Sequence, residues 1–537
     1  MTIDQRPQSW IKHTLFIGII AALTACGGSG GGGGGPTPGP DTPPDTTPNA
    51  FTLNVVDDAV PGAEVISEPF TVSGINAPTP ISIEGGQYAV NGGAYTSAAG
   101  TVRNGDTVRV KVTSSGTLQT DVKATLTIGG VAGTFIVTTL ADTTPPTAQI
   151  TFPPPVSMKD GDSILVRGTA SDDYSTITSV TVGGVAAESD DGFATWTALV
   201  TLTEGDNIIN VVVEDENNTN NAATSVSVRR TAYDVAFPDN EVPITRATGI
   251  AVDAANNRVL IPNSVSGTGD SIIAVDLSTG IRTVFSGPGV PDDANIFIVP
   301  GDIVIDPVPT RNRAILADTR NTIFEINLTD GARSILSNNT VPNDQQPDLD
   351  SPLGIALDPA NEDVAYIVDS TLDNLQRVDL LTGERTLISD NAVHDGPSLD
   401  EPRHLLIDSA NHRAFVSDTM PSRLFSIDLN TGVRSIFFGR GEPEPESNVT
   451  CPIHLATDNI QSRIVITDCA EGINVLDLTT NTLSNVFEPV VSGANYGYFS
   501  MIENNFYALY VERATQAVYA IDVNNWDFVI LSKSVSE

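Results

Sequence analysis

Cysteine is scarce in this chain. The 537 residues hold three, Cys26, Cys451 and Cys469, too few for a disulfide-scaffolded fold or a cluster of zinc thiolates. Basic residues are scarce as well: 27 Lys and Arg stand against 66 Asp and Glu, a formal net charge of −39. Such an excess repels phosphate, so the folded body is not expected to bind nucleic acid or an anionic surface, and solubility is its plainest consequence. The apolar run from Leu15 to Leu23 is about half the ~20 residues that a membrane-crossing helix needs. There is no HExxH, no CxxC pair and no Ser/His/Asp order distinguishable from chance. Gly27 to Gly31 fits G-x-S-x-G and Gly30 to Gly35 fits G-x-G-x-x-G, but neither lies between a strand and a helix, and both are discarded.

What is present begins with a leader. Arg6 and Lys12 precede the run Leu15 to Leu23, the order of a secretory signal. The run ends in Leu23-Thr24-Ala25-Cys26, which resembles the lipobox of bacterial lipoproteins. The resemblance implies cleavage before Cys26, acylation of its thiol and, with Gly27 in place of an aspartate, the outer membrane in preference to the inner one. An ordinary signal peptide that happens to precede a cysteine is the alternative. The glycine-rich and then proline-rich stretch that follows reads as a coil merging into a stiff spacer.

Five segments are expected: leader 1–25, linker 26–50, two β-sandwiches at 51–142 and 143–232, and a propeller at 233–537. Short alternating runs such as "FTLNVV", "TVRVKV" and "GTFIVTT" between Gly, Asn and Asp turns predict antiparallel sandwiches. "PFTVSGINAPTPISIEGGQYAVNGGAYTSAAGTVRNGDTVRVKVTSS" resembles an Ig-like repeat of bacterial surface proteins, and "VRGTASDDYSTITSVTVGGVAA" resembles a second Ig-like class, with Trp196 in its core. Asp172, Asp173, Asp215 and Glu216 at one end of that sandwich fit either a calcium site or solvated turns.

From about residue 240 a repeat governs the chain: "GIAVDAANNRVLIPNS…IIAVDLSTGIRTVFS", then "DIVIDPVPTRNRAILADT…IFEINLTDGARSILS", and four further units. Each predicts four short strands, so the fold class is all-β: two Ig-like sandwiches followed by a six-bladed propeller. The units resemble NHL-repeat and gluconolactonase-like propellers, whose blades begin P-x-G-I-A-V-D. The recurrent acids at Asp253, Asp306, Asp358, Asp408, Asp458 and Glu503 fit strand-to-turn junctions. The last blade closes either with its own final strand or with one from 232–238. Cys451 and Cys469 flank an antiparallel pair and are expected to form a disulfide.

In the gluconolactonase-like family, metal-binding acids and amides occupy the x of x-G-[I/L]. Here that position reads Thr248, Gly301, Leu353, Arg403, Ile453 and Tyr498, so the family's metal site does not carry over. The next position reads Gly249, Asp302, Gly354, His404, His454 and Phe499. Asp302, His404 and His454 are of the types that hold a divalent metal; alternatively these side chains face neighbouring blades, with His404 and His454 bonded between blades four and five. Peptidylglycine-amidating lyases, also six-bladed, place zinc-binding histidines at the x position instead.

These readings converge on a non-enzymatic, surface-tethered recognition protein of the bacterial envelope, outer-membrane anchored and facing the periplasm or the cell surface. Arg403, Tyr498, His404 and His454 would line the propeller mouth. Its partners would be the membrane, through the N-terminal lipid, and a surface glycan, small molecule or protein, with no cofactor required. The alternatives are a metal-dependent hydrolase or lyase, using zinc or calcium at Asp302, His404 and His454, and a structural surface protein.

Overall fold

A computed structural model of the chain describes residues 43–216, 224–232, 236–238, 242–265, 269–439, 449–458, 462–470, 472–480, 482–487, 497–501, 507–512 and 515–534. Cys26, the leader and Glu503 lie outside these residues. The described chain is all-β, with two short 3-10 turns, and none of its helices is long and apolar enough to cross a membrane. It divides into two compact units, Met1–Leu140 and Ala141–Glu537.

In the first unit a five-stranded and a four-stranded sheet enclose one core. The strand Thr107–Thr113 shows why: in "TVRVKVT" each valine faces inward and the residues between them face out or stand half-buried, so Val108, Val110 and Val112 meet Leu126, Phe135 and Val137 of the opposite sheet. The seam with the linker differs from expectation. Asn49 donates its backbone N–H to Ser73 and Asn76 donates to Asp45, so the end of the proline-rich stretch is bonded to this unit.

The second unit opens with another pair of sheets around Trp196, which is 1% exposed. A Cβ at Gly168 would lie 2.1 Å from its ring, which excludes any larger residue there. Five four-stranded antiparallel sheets follow, beginning at Ala251, Pro300, Pro352, Pro402 and Pro452, and a sixth set of four strands, beginning at Gly497, forms the end of a nine-stranded sheet shared with the sandwich. The first strand of each contacts the first strand of the next, and Ala251–Asp253 contacts Gly497–Met501, so the sheets form a closed, propeller-like ring. The sixth sheet closes with its own last strand, Phe528–Lys533, and Phe237 adds a single bridge at Lys533.

Two repeated devices hold the ring. Asp276, Asp379, Asp428 and Asp477 accept backbone N–H groups two and three residues on, bonds that define tight turns. The glycines of these turns, and of the matching turn at Asn327, lock neighbours: Gly331, Gly383 and Gly432 have φ of 72–75°, and a Cβ on any of them would lie 2.1–2.2 Å from a carbonyl oxygen of the preceding sheet. Beside each glycine a buried arginine reaches back to a serine of that preceding sheet: Arg333 to Ser286 at 2.9 Å, Arg434 to Ser389 at 2.9 Å, Arg385 to Ser337, and, across the closure, Arg282 to Ser532 at 2.8 Å. Leu483 and Phe528 occupy the equivalent rung in sheets five and six, so those two junctions lack the clasp. Sheet five instead carries the Cys451–Cys469 disulfide, with Cα atoms 5.3 Å apart.

The ring and the second sandwich are joined. Strand Val156–Lys159 meets the last strand of the ring through the pair Met158↔Ile530. Met158 is fully buried among Tyr510, Tyr519 and Ile530, and Lys159–Asp527 and Arg167–Asp522 form ion pairs across the seam.

Candidate functional site

The ring's first strands share a local irregularity that builds the site. Pro352, Pro402 and Pro452 pair with Asp369, Asp418 and Asp468, the register then shifts, and pairing resumes at Gly354, His404 and His454. The skipped residues Leu353, Arg403 and Ile453 sit in bulges, which re-aim side chains. The first strand pair of sheet six has no bulge: Gly497 pairs with Glu512 and Tyr498 with Val511. Tyr498 therefore shares the rung of His404 and His454, one position from where the sequence alignment sets it, and Phe499 is buried in an apolar cluster with Ala456 and Val465. The absent proline was the signal for this offset.

The sequence reading missed a set of acids. Asp318, Asp369, Asp418 and Asp468, each at most 2% exposed, accept paired backbone N–H groups from the segments that precede the first strands, such as Ile298 and Val299 on Asp318 and Asp400 and Glu401 on Asp418. The repeats "LADT", "IVDS", "VSDT" and "ITDC" carried that signal. These bonds shape the wall of the mouth.

Asp302, His404 and His454 converge from sheets two, four and five. Sheets two and four are not adjacent, so the ring axis is the only place where they can meet. His404 Nε2 lies 2.9 Å from Asp302 Oδ2, and His454 Nε2 lies 3.9 Å from Oδ1. The backbone N–H of Leu455 donates to His404 Nδ1 at 3.2 Å, which leaves the proton of the neutral ring on Nε2, donating to Asp302. The backbone N–H groups of Ile303 and Ile355 favour the charged form of Asp302. Its Oδ1 and His454 Nδ1 are buried without a hydrogen-bond partner. Gly249 is obligatory here, since a Cβ would lie 2.4 Å from Asp302 Oδ1. Burial raises the Asp302 carboxyl to about 6 and lowers both imidazoles to about 3, so at neutral pH the cluster is one carboxylate beside two uncharged rings.

The three residues have the donor types of a zinc site, and their candidate ligand atoms lie within 4.8 Å of one another, but the arrangement does not fit a shared ion. Two imidazoles bound through Nε2 to one tetrahedral zinc, at about 2.0–2.1 Å each, hold their ring centroids roughly 5 Å apart; His404 and His454 stack at 3.7 Å. His404 Nε2 also carries the proton that bonds Asp302, so it has no lone pair to offer.

Above this floor opens a cavity of about 330 Å³, lined by Arg246, Thr248, Asp302, Thr319, Ser351, Leu353, Ser370, Arg403, His404, Ile453 and Tyr498, with Ala247, Val299 and Pro300. Arg403 Nη2 lies 3.3 Å from Glu401 and is half-buried. Arg246, exposed, makes no ion pair among the described residues; it lies just ahead of the first repeat, outside the alignment that singled out Arg403. His454 does not line the cavity itself but stands behind it, edge-on to Tyr498 with centroids 5.6 Å apart.

No protein-family description and no curated protein matches the chain. Among solved structures it is similar to a Bacteroides thetaiotaomicron protein of unknown function, at 17% identity over 72% of this chain and 98% of that one, with a TM-score of 0.42. An auxiliary nutrient binding protein of the same organism aligns at 12% identity over 70% of this chain and 97% of that one, TM-score 0.40. A chain of a nidogen/laminin complex aligns at 16% over 53% and 94%, TM-score 0.36. Likeness at this level concerns chain topology and says nothing of ligands.

The other expected positions separate. Asp172 and Asp215 come together with Asp142, which the sequence reading did not include, whereas Glu216 accepts from Thr176. Asp172 caps its own turn through the N–H groups of Tyr174 and Ser175. His394 is half-buried and bonded to Asp390 at 3.0 Å.

Proposed function

We propose that the chain is a surface-tethered recognition protein whose ring binds a small, anion-bearing ligand at its mouth. In this reading Cys26 carries the lipid that anchors it to the outer membrane, residues 26–50 form the linker, residues 51–142 and 143–232 are Ig-like spacers, and residues 233–537 form a six-bladed propeller of the NHL or gluconolactonase-like kind.

One observation carries the reading: in a chain of net charge −39, two arginines, Arg246 and Arg403, face the same cavity together with the hydroxyl-bearing Thr248, Thr319, Ser351 and Ser370. Guanidinium forks suit carboxylates and phosphates, hydroxyls suit sugar-like or peptide-like groups, and Tyr498 offers a ring edge at the wall. The size is that of a small-molecule pocket. The zinc-hydrolase alternative loses support from the ring spacing and tautomer at His404 and His454.

Titration of the full chain against anionic sugars, amino-acid derivatives and small phosphates tests the reading. A charge-assisted bond contributes about 1.5–3 kcal/mol, so Arg403→Ala is expected to weaken the bound class at least roughly tenfold. An unchanged affinity in both Arg403→Ala and Arg246→Ala, or no anionic ligand at all, overturns it.

A further inference from the structure

We infer that the mouth selects an elongated dianion: a small ligand with an acid group at each end and none between, one end held by Arg246 and the other by Arg403. The inference rests on the recognition reading and names the ligand class for the same cavity.

The two arginines belong to opposite walls. First strands touch in ring order, from sheet one to sheet six and back to sheet one, so sheets one and four face each other across the axis. Arg246 is fixed to sheet one: its backbone N–H donates to Asn263 Oδ1 at 2.9 Å and its carbonyl accepts from Ser264, at the end of that sheet's second strand. Arg403 is fixed to sheet four, and there the guanidinium itself is tied. Its Nη2 lies 3.3 Å from Glu401, whose carboxylate accepts from the Thr419 hydroxyl of the same sheet at 2.6 Å. Both cations are within a ligand's reach, since Arg246 is exposed, the Arg403 side chain keeps 31% of its surface, and both line the cavity. Among the described residues Arg246 makes no ion pair, and Arg403 commits one arm of its fork to Glu401, which leaves the other arm for a second acceptor.

The axis between these walls has the opposite sign. Asp302 sits there, ionised at neutral pH, with no lysine or arginine within ion-pair reach among the described residues; the histidines beside it are uncharged. Its charge acts through space, in surroundings of low dielectric, and needs no contact with the ligand. An acid group centred over the axis is repelled by that carboxylate, whereas acid groups at the walls meet guanidinium groups. Across the cavity the field thus favours anions at both ends and disfavours one in the middle. The flanks are unlike: sheets two and three present the hydroxyls of Thr319 and Ser351, and sheets five and six present Ile453 and Tyr498. A ligand with one polar and one apolar edge fits between them, as in a dicarboxylic acid or a pair of linked uronic acids.

The test is isothermal titration calorimetry on the full chain at neutral pH. The probes are the straight-chain dicarboxylic acids from succinate to sebacate, each beside its monomethyl ester, and digalacturonic acid beside galacturonic acid. Affinity is expected to peak at one length, and removal of one charge from the preferred dianion to weaken it at least roughly tenfold. Arg246→Gln and Arg403→Gln are each expected to bring that dianion down to the affinity of its singly charged counterpart. Singly charged probes bound as tightly as every dianion overturn the inference and leave the recognition reading intact. This contrast needs only the unaltered protein, so it stands even if a variant fails to fold. A dianion that loses affinity in Arg403→Gln and not in Arg246→Gln also overturns it, because one end is then unheld. Binding of no acid, singly or doubly charged, defeats both readings.

Discussion

Asp302 carries a charge that its surroundings leave unanswered, and its titration should show this. Burial lifts it from 3.8 to about 6, so this carboxyl favours the folded state below about pH 4 and that contribution is lost as pH rises through 6. His404 and His454 act in the opposite sense: lowered from 6.5 to about 3, they favour the folded state above 6.5 and lose that contribution as pH falls. Between pH 4 and 6 the native state holds one extra proton at Asp302 and the unfolded state two at the histidines, so acid destabilises on balance. Asp302→Asn removes the opposing group, and its acid loss of stability should be steeper by up to about 1.4 kcal/mol per pH unit. Melting curves of both proteins across pH 4 to 6.5 measure the difference; parallel profiles would refute the assignment. Much of this cluster was legible, because aligning the units sets Asp302, His404 and His454 at one position. Tyr498 was displaced by a residue because a bulge leaves no mark in a period-two pattern beyond the missing proline, and Arg246 was invisible because it precedes the repeat.

Among the ring's elements, the clasp between sheets is what the sequence reading under-described. The arginine of "IRTVFS", "ARSILS", "ERTLIS" and "VRSIFF" recurs plainly, yet an arginine at a strand start reads as a solvated residue. In the fold Arg333 donates to the backbone oxygens of Gly287, Val290, Asp292, Ala294 and Asn295 as well as to Ser286. Carbonyls surround it; the Asp292 carboxylate is 3.7 Å away and largely exposed, and Asp293 adds a second negative charge nearby. Removing the guanidinium strands several buried acceptors at once, so Arg333→Ala should cost about 3 kcal/mol or more. Arg333→Lys should recover little of it, because an ammonium cannot span the same fork. Denaturant melts of the two variants decide this; a loss below about 1 kcal/mol, or full rescue by lysine, would show that the carbonyls find other partners. The turn glycines, by contrast, were legible, because positive φ and the motif "DLSTG" go together.

For the molecule as a whole, the β class and the six-unit repeat could be read from strand periodicity, while the seam between the second sandwich and the ring could not. Its contacts pair residues far apart in the chain, and nothing in a local pattern announces them. Treating the ring as a separate body therefore carries a cost. A fragment of residues 233–537 leaves Ile530 without Met158, Asp527 without Lys159 and the fully buried Asp522 without Arg167. It should melt well below the fragment 141–537, since removing one partner of a buried ion pair alone costs about 3–5 kcal/mol. Equal melting temperatures would mean that the seam is only a contact of convenience.

The seam also has a history within each molecule. Lys159 is made 368 residues before Asp527, an interval of roughly 20 to 70 s at ordinary rates of synthesis. Until the later residues are made the sandwich holds a bare edge and the sixth sheet lacks its last strand. Both gaps are filled by one strand, Phe528–Lys533. A chain that lacks this strand is left with two open edges at once, and a protease that samples exposed strands would tell it from one that has it without inspecting anything else.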